Sequence, residues 1–162
     1  MFEKDAFMSL EISIVAIGKK NSVLDDEIGR YLKLLGPFVK VSVNFIKPLQ
    51  MTQNQDKEKI AREGKILQEK WPPGSYPVAL SEEGRTMNSV KFSQWLEGLS
   101  EREKRVTFTI GGAYGLSSGL KQQCKETLSL SPMTLPHKLC MLVLIEQIYR
   151  AFTILKHHPY HK

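Results

Sequence analysis

The stretch RVTFTIGGAYGLSSG, residues 105–119, sets a strand-like apolar run directly before a glycine-rich turn and the start of a helix. Four glycines fall within its last ten residues, IGGAYGLSSG (110–119). Glycine is favoured in such a turn where the chain takes positive φ or where a ligand must approach the main chain closely. The stretch therefore predicts one strand–turn–helix unit and raises the question of a ligand.

The same kind of unit recurs along the rest of the chain. Strand-like runs occupy 10–18, 37–47, 76–81, 105–112 and, as a short extended segment, 128–134. Helical spacing of apolar residues recurs at 23–35 (after the polar Ser22), 53–71, 89–99, 117–128 and 136–155. The second strand alternates valine with polar residues and is expected near an edge. Strands that alternate with helices predict an α/β fold with a mostly parallel sheet and helices on both faces.

Length and composition predict one domain, residues 9–162, behind an N-terminal extension, residues 1–8, that is native or left by cloning. The chain is 41% hydrophobic and 25% charged, and no apolar run approaches the ~20 residues of a membrane span. No secretory signal is visible, so a cytoplasmic protein without a membrane partner is expected. Cys124 and Cys140 lack zinc-ligand spacing and are expected to be reduced and structural.

A net charge of +6 favours polyanionic partners such as nucleic acid, and the basic excess gathers near the C-terminus, in Lys156, His157, His158, His161 and Lys162. Three histidines in this tail raise a metal site as an alternative. The tail has no acidic or thiolate partner, so no metal is expected. Disorder of the terminal HPYHK segment is a further alternative.

The glycine turn fails the usual nucleotide patterns. A P-loop needs GxxxxGK[ST], but Gly115 is followed by Leu116, and Gly119 by Leu120 and Lys121 with no Ser or Thr behind. The dinucleotide pattern GxGxxG is also absent, and the turn is not interpreted as a nucleophile elbow. Two interpretations stay open: a turn that lets a ligand lie against bare main chain, or a helix start that needs glycine for its conformation.

A second irregular segment, LSLSPMTLPHKL (128–139), lies between a strand end and the long apolar helix. Its side chains form neither a helical nor a strand face, so its main-chain N–H and C=O groups are free to pair with a ligand such as an adenine edge. Met133 could pack on that adenine, although an isolated Met is expected to fill core.

Six segments together resemble one known family: IVAIGK, VALSEEGRTMNS, IGGAYG, LSLSPMTLPH, LIEQIYRAFTIL and HHPYHK. They resemble the RlmH (YbeA) family, small SPOUT-class methyltransferases that act on a pseudouridine of 23S ribosomal RNA. The likeness covers nearly the whole chain. It implies a C-terminal deep trefoil knot, which strand and helix patterns alone do not predict.

The resemblance also implies S-adenosylmethionine as cofactor, held by main-chain turns at Leu80, Gly111 and Leu130, Ser131, Pro132, Met133, Thr134 and Leu135. Pro132 is a departure, because proline removes one N–H from a loop that supplies such groups. If that N–H contacts the cofactor in other members, the affinity of this chain is lowered.

The implied reaction is methylation of N3 of a pseudouridine, on the assembled ribosome, by a homodimer in which the tail of one subunit completes the cofactor site of its partner. The predicted catalytic residues are Arg150, Tyr160 and His161. For Arg150 the alternative is a simple i,i+4 ion pair with Glu146. Tyr160 offers a stacking face for a base, and the imidazole of His161 could accept a proton.

The sequence leaves two alternative functions to compare with methyl transfer. A non-catalytic RNA-binding module of the same fold would not need the intact LSPMTL loop. A nicotinamide-dependent oxidoreductase is disfavoured by the missing GxGxxG pattern.

Overall fold

The structure is a computed structural model that describes residues 9–20 and 23–162; the predicted extension, residues 1–8, and the helix-start Ser22 lie outside them. The strands are β1 Glu11–Ile17, β2 Lys40–Ile46, β3 Tyr76–Thr86, β4 Arg105–Ile110 and β5 Glu126–Ser129. The helices are α1 Asp25–Leu35, α2 Asp56–Glu69, α3 Ser89–Arg102, α4 Ser118–Gln123 and α5 His137–Leu155. The predicted alternation of strands and helices is confirmed.

The five strands form one parallel sheet in the order β2-β1-β4-β3-β5. β2 is an edge strand, as its polar alternation predicted. Side chains of β1 alternate between two apolar clusters: Ile12 and Ile14 face α1, α3 and α5, whereas Val15 and Ile17 face α2 and α4. Helices therefore cover both faces of the sheet, because successive residues of a strand point to opposite sides.

The helix predicted over 117–128 is too long. α4 ends at Gln123, and Glu126 begins β5 instead. Lys125 donates its main-chain N–H to Pro77 of β3 at 2.8 Å, and Glu126 accepts a hydrogen bond from the Trp95 indole at 2.7 Å. Pairing with a strand nearly 50 residues away thus outweighs the local helical spacing, which is the usual limit of such patterns.

β3 continues five residues beyond its predicted end because it contains a bulge. Leu80 and Arg85 both pair with Leu128 of β5, so residues 81–84 leave the ladder and return to it. A Cβ on Gly84 would lie 2.5 Å from the Leu128 carbonyl carbon and 2.8 Å from the Leu128 nitrogen. Only glycine lets the two main chains approach this closely.

Replacing Gly84 by alanine is expected to lower the free energy of unfolding by about 1–3 kcal/mol, because main-chain atoms of β5 must shift to admit the methyl group. Gly98 on α3 is the matched control, since a Cβ there meets nothing within 4 Å. Gly98→Ala should stabilise the protein by about 0.5–1 kcal/mol. Urea unfolding measures the change in stability of both variants. Equal free energies of unfolding for Gly84→Ala and Gly98→Ala would contradict the close approach at Gly84.

The long helix α5 begins at His137, directly after Pro136, which occupies the N-cap. Its buried side chains, among them Leu144, Ile148 and Phe152, pack on the sheet beside α1 and α3. No helix in the described part of the chain has the length and apolar character needed to cross a membrane. Because all strands are parallel, the turns that follow them meet at one edge of the sheet.

Candidate cofactor site

A cleft of about 640 Å³ opens at the carboxyl ends of the three neighbouring strands β4, β3 and β5. Three segments form its walls: the β3 bulge, the glycine turn after β4, and the loop between β5 and α5. Its lining is Leu80–Glu83, Ile110–Leu116, Lys121, Leu130, Ser131, Met133–His137 and Cys140. Ligands of open α/β sheets bind at this edge.

Nearly all of the predicted cofactor residues lie in this one cleft. The residues that line it are Leu80, Gly111, Leu130, Ser131, Met133, Thr134 and Leu135. Pro132 stands in the same loop but does not line the cleft. The structure therefore brings together segments separated by up to 55 residues of sequence, as the resemblance implies for a single ligand site.

The glycine turn is folded tightly on itself. Gly115 has φ +75° and donates its N–H to the Gly112 carbonyl at 3.0 Å. A Cβ on Gly111 would lie 2.4 Å from the Gly115 oxygen. Glycine is thus required for conformation, and the same residues also form a wall of the cleft. The conformational interpretation is confirmed, whereas contact between a ligand and this main chain stays a prediction.

Met133 is not a core residue, contrary to expectation. Its side chain is 74% exposed at the rim of the cleft, and its N–H is bonded to the Ser131 hydroxyl at 3.0 Å. The loop projects beyond the end of β5, so no apolar layer covers the side chain. A flexible thioether at this position is free to pack against a ligand.

The cleft also contains charged groups that the sequence patterns did not single out. Lys121 and Glu83 form an ion pair of 3.3 Å, and 38 residues separate them, so no local pattern could reveal it. His137 lines the cleft at the start of α5. Burial, and then the charge of Lys138, lower the pKa of His137, so its imidazole is neutral at pH 7.

The two cysteines are free and half-buried, and Cys140 lines the cleft. Burial raises the pKa of both thiols to about 11, so neither provides a thiolate at neutral pH. Across residues 9–20 and 23–162, no group of three or more His, Cys, Asp or Glu side chains is placed to hold a metal ion.

The predicted catalytic residues Arg150, Tyr160 and His161 form a second cluster together with Glu146 and Tyr31. We call these five residues the tail cluster. Arg150 is ion-paired to Glu146 at 2.6 Å and lies 3.2 Å from His161 Nδ1. The Tyr160 hydroxyl lies 3.1 Å from both Glu146 Oε1 and the Tyr31 hydroxyl. The terminal residues therefore pack on α5 and α1. None of them lines the cleft of its own chain.

Hydrogen-bond directions in the tail cluster follow from the donors. Arg150 can only donate, so His161 Nδ1 accepts and a neutral ring carries its proton on Nε2. Tyr160 donates to the Glu146 carboxylate. Burial, and then the bonds to Tyr31 and Glu146, raise the pKa of Tyr160 above its usual value. Tyr160 thus stays protonated and is not a base in this arrangement.

The parallel sheet and the cleft built from main-chain turns define an α/β protein with a candidate small-ligand site at its strand ends. Residues 10–161 match the family described as "predicted SPOUT methyltransferase". The chain belongs to this SPOUT methyltransferase family, and the likeness drawn from its sequence is confirmed.

Curated relatives cover nearly the whole chain. It is 40% identical over 159 residues to the ribosomal RNA large subunit methyltransferase H of Leuconostoc mesenteroides, spanning 94% of this chain and 100% of the relative. It is 36% identical over 162 residues to the protein of the same name from Carboxydothermus hydrogenoformans, with the same coverage. The solved structure of a probable methylase family protein from Haemophilus influenzae Rd KW20 has a TM-score of 0.57 at 12% identity, over 96% of this chain and 72% of that one. That last likeness shows the fold alone.

Proposed function

We propose that this protein transfers a methyl group from S-adenosylmethionine to N3 of a pseudouridine in large-subunit ribosomal RNA. The observation that carries the proposal is the single cleft formed by the three turns that the resemblance assigns to the cofactor. The names of the curated relatives support ribosomal RNA of the large subunit as substrate. The net charge of +6 fits a polyanionic partner.

The cleft fits such a cofactor in size and chemistry. Its volume of about 640 Å³ lies within the usual range of small-ligand sites. Irregular main chain at Leu130–Leu135 offers N–H and C=O groups to an adenine edge. Glu83 and Lys121 offer opposite charges to the ammonium and carboxylate of the amino-acid end. S-adenosylmethionine supplies a methyl group already activated on sulfonium.

The tail cluster supplies the groups that the base needs. Loss of the N3 proton leaves a negative ring, which the Arg150 guanidinium and the Nε2–H of His161 can stabilise as hydrogen-bond donors. His161 can take that proton at Nδ1 only by leaving Arg150. The face of Tyr160 can stack on the base.

We infer that the active protein is a homodimer, because the tail cluster and the cleft do not meet within one chain. Partly exposed apolar residues support such an interface: Leu139 on α5 is 37% exposed and Val90 on α3 is 41% exposed. Leu142 and Val143 on α5 are half-buried beside them. In a two-fold dimer each tail can reach the cleft of the partner.

Three finer features complete the proposal. The loop 128–139 and α5 close the deep trefoil knot that the resemblance implies. The protein acts in the cytoplasm. Its substrate is the assembled ribosome, recognised by shape.

Calorimetry followed by methyl transfer tests the function. S-adenosylmethionine is expected to bind and NADH is not. Large ribosomal subunits from cells that lack the protein should gain one methyl group, located on a pseudouridine by mass mapping. Absence of heat at millimolar S-adenosylmethionine would refute the cofactor, and RNA binding without methyl transfer would favour a non-catalytic module.

A further inference from the structure

Glu146 is the centre of the tail cluster, although the sequence indicated it only as an ion-pair partner. Its Oε1 accepts hydrogen bonds from Arg150 Nε at 3.0 Å and Nη2 at 2.6 Å. The same oxygen accepts the Tyr160 hydroxyl at 3.1 Å. Only 18% of the Glu146 side chain is exposed, so these bonds are partly shielded from water.

The second oxygen of Glu146 anchors the carboxylate to another helix. Gln147 donates its amide to Oε2 at 2.7 Å, and Ser89 at the start of α3 donates to Gln147 Oε1 at 2.6 Å. The carboxylate is therefore held from both sides, by the tail on one and by α3 on the other. A simple surface i,i+4 pair has no such support.

We propose that Glu146 is a positioning residue that presents Tyr160, Arg150 and His161 in one fixed arrangement to the base. This rests on the proposed function, in which those three residues act on pseudouridine. Glu146 itself touches neither cofactor nor cleft.

The physical reason is that a carboxylate accepts hydrogen bonds and never donates them. Tyr160 and Arg150 must therefore both donate to Glu146. The Tyr160 oxygen is then left to accept from Tyr31, 3.1 Å away. Arg150 is held where it can also reach His161. An amide in place of the carboxylate could instead donate to the Tyr160 oxygen, so the direction of that bond would no longer be unique.

Glu146→Gln tests this with little change in shape. The expected result is a fall in kcat of about 10- to 100-fold, as for a misplacement of reacting groups. The dissociation constant for S-adenosylmethionine should be unchanged. Glu58→Gln is the matched control, because it removes a partner from another i,i+4 Glu–Arg pair, that of Arg62 on α2, away from the tail. Its kcat should equal that of the wild type.

A second measurement does not depend on turnover. The Tyr160 hydroxyl is bonded to Tyr31 of α1 and Glu146 of α5, and Arg150 and Tyr149 of α5 pack against its ring. Removing the negative charge should move the titration of Tyr160 to lower pH, observed by NMR of ¹³C-labelled tyrosine and assigned with Tyr160→Phe. Glu58→Gln should leave this titration unchanged.

The outcomes separate the two claims. If the wild type transfers no methyl group but the Tyr160 titration shifts in Glu146→Gln, the proposed function fails while the positioning contact stands. Wild-type kcat in Glu146→Gln overturns the positioning role. So does a loss that is matched by an equal loss of cofactor affinity or of thermal stability.

Discussion

Gly111→Val abolishes binding of S-adenosylmethionine and leaves the fold intact: this is the largest effect that we expect from a single substitution. A Cβ at this position would lie 2.4 Å from the Gly115 oxygen, 2.5 Å from its carbonyl carbon and 3.0 Å from the Leu116 nitrogen. These are main-chain atoms, which cannot rotate aside, so the turn must open. Opening it displaces one wall of the cleft.

Calorimetry should detect no heat for Gly111→Val at millimolar S-adenosylmethionine. Gly119→Val is the matched control from the same glycine-rich stretch, because a Cβ there meets nothing within 4 Å. It should bind as the wild type does. Size-exclusion chromatography and thermal unfolding establish whether both variants keep the fold and the oligomeric state of the wild type. Unchanged affinity in Gly111→Val would refute the assignment of this turn to the cofactor.

Deletion of Tyr160–Lys162 should affect methyl transfer and not the binding of S-adenosylmethionine. Tyr160 and His161 are proposed to act on the base and not on the cofactor, so binding of S-adenosylmethionine is expected to stay within about twofold of the wild type. Methyl transfer should be lost, because Tyr160 and His161 are removed together. Wild-type turnover on large ribosomal subunits would refute the role of the tail.

Co-expression of the two variants tests whether the tail acts across the dimer. A mixed dimer has one intact cleft, on the truncated subunit, and one intact tail, on the Gly111→Val subunit. If the tail acts in trans, random pairing should restore about a quarter of the wild-type activity, since half of the dimers are mixed and each has one working site. No recovery would mean that each tail serves the cleft of its own subunit.

Local patterns were sufficient for most of the architecture. The strands β1, β2 and β4 and the helices α1 and α3 have strong periodicity, so they were predicted close to their observed positions. β5 was partly assigned to a helix because its strand character comes from pairing with β3. The β3 bulge is likewise set by its contact with Leu128 and has no signature in the sequence around Gly84.

The site was only partly accessible to sequence reasoning. Strand ends mark the segments at Leu80, Gly111 and Leu130 as places where a ligand can bind, and the likeness to a family assigned all three to one cofactor. The tail cluster was missed as a network because its partners are far apart: 129 residues separate Tyr31 from Tyr160. Met133 was misplaced because a rule about isolated methionines could not anticipate a loop that projects past the sheet.

The bulge in β3 lets side chains that line the cleft vary while the pairing of the sheet is kept. Residues 81–84 leave the ladder between Leu80 and Arg85, which both pair with Leu128. The pairing of β3 with β5 is therefore complete on either side of the bulge. Three members of this excursion, Ser81, Glu82 and Glu83, line the cleft. Changes of side chain at these positions can therefore retune ligand preference while the hydrogen bonds that hold β3 to β5 remain as they are.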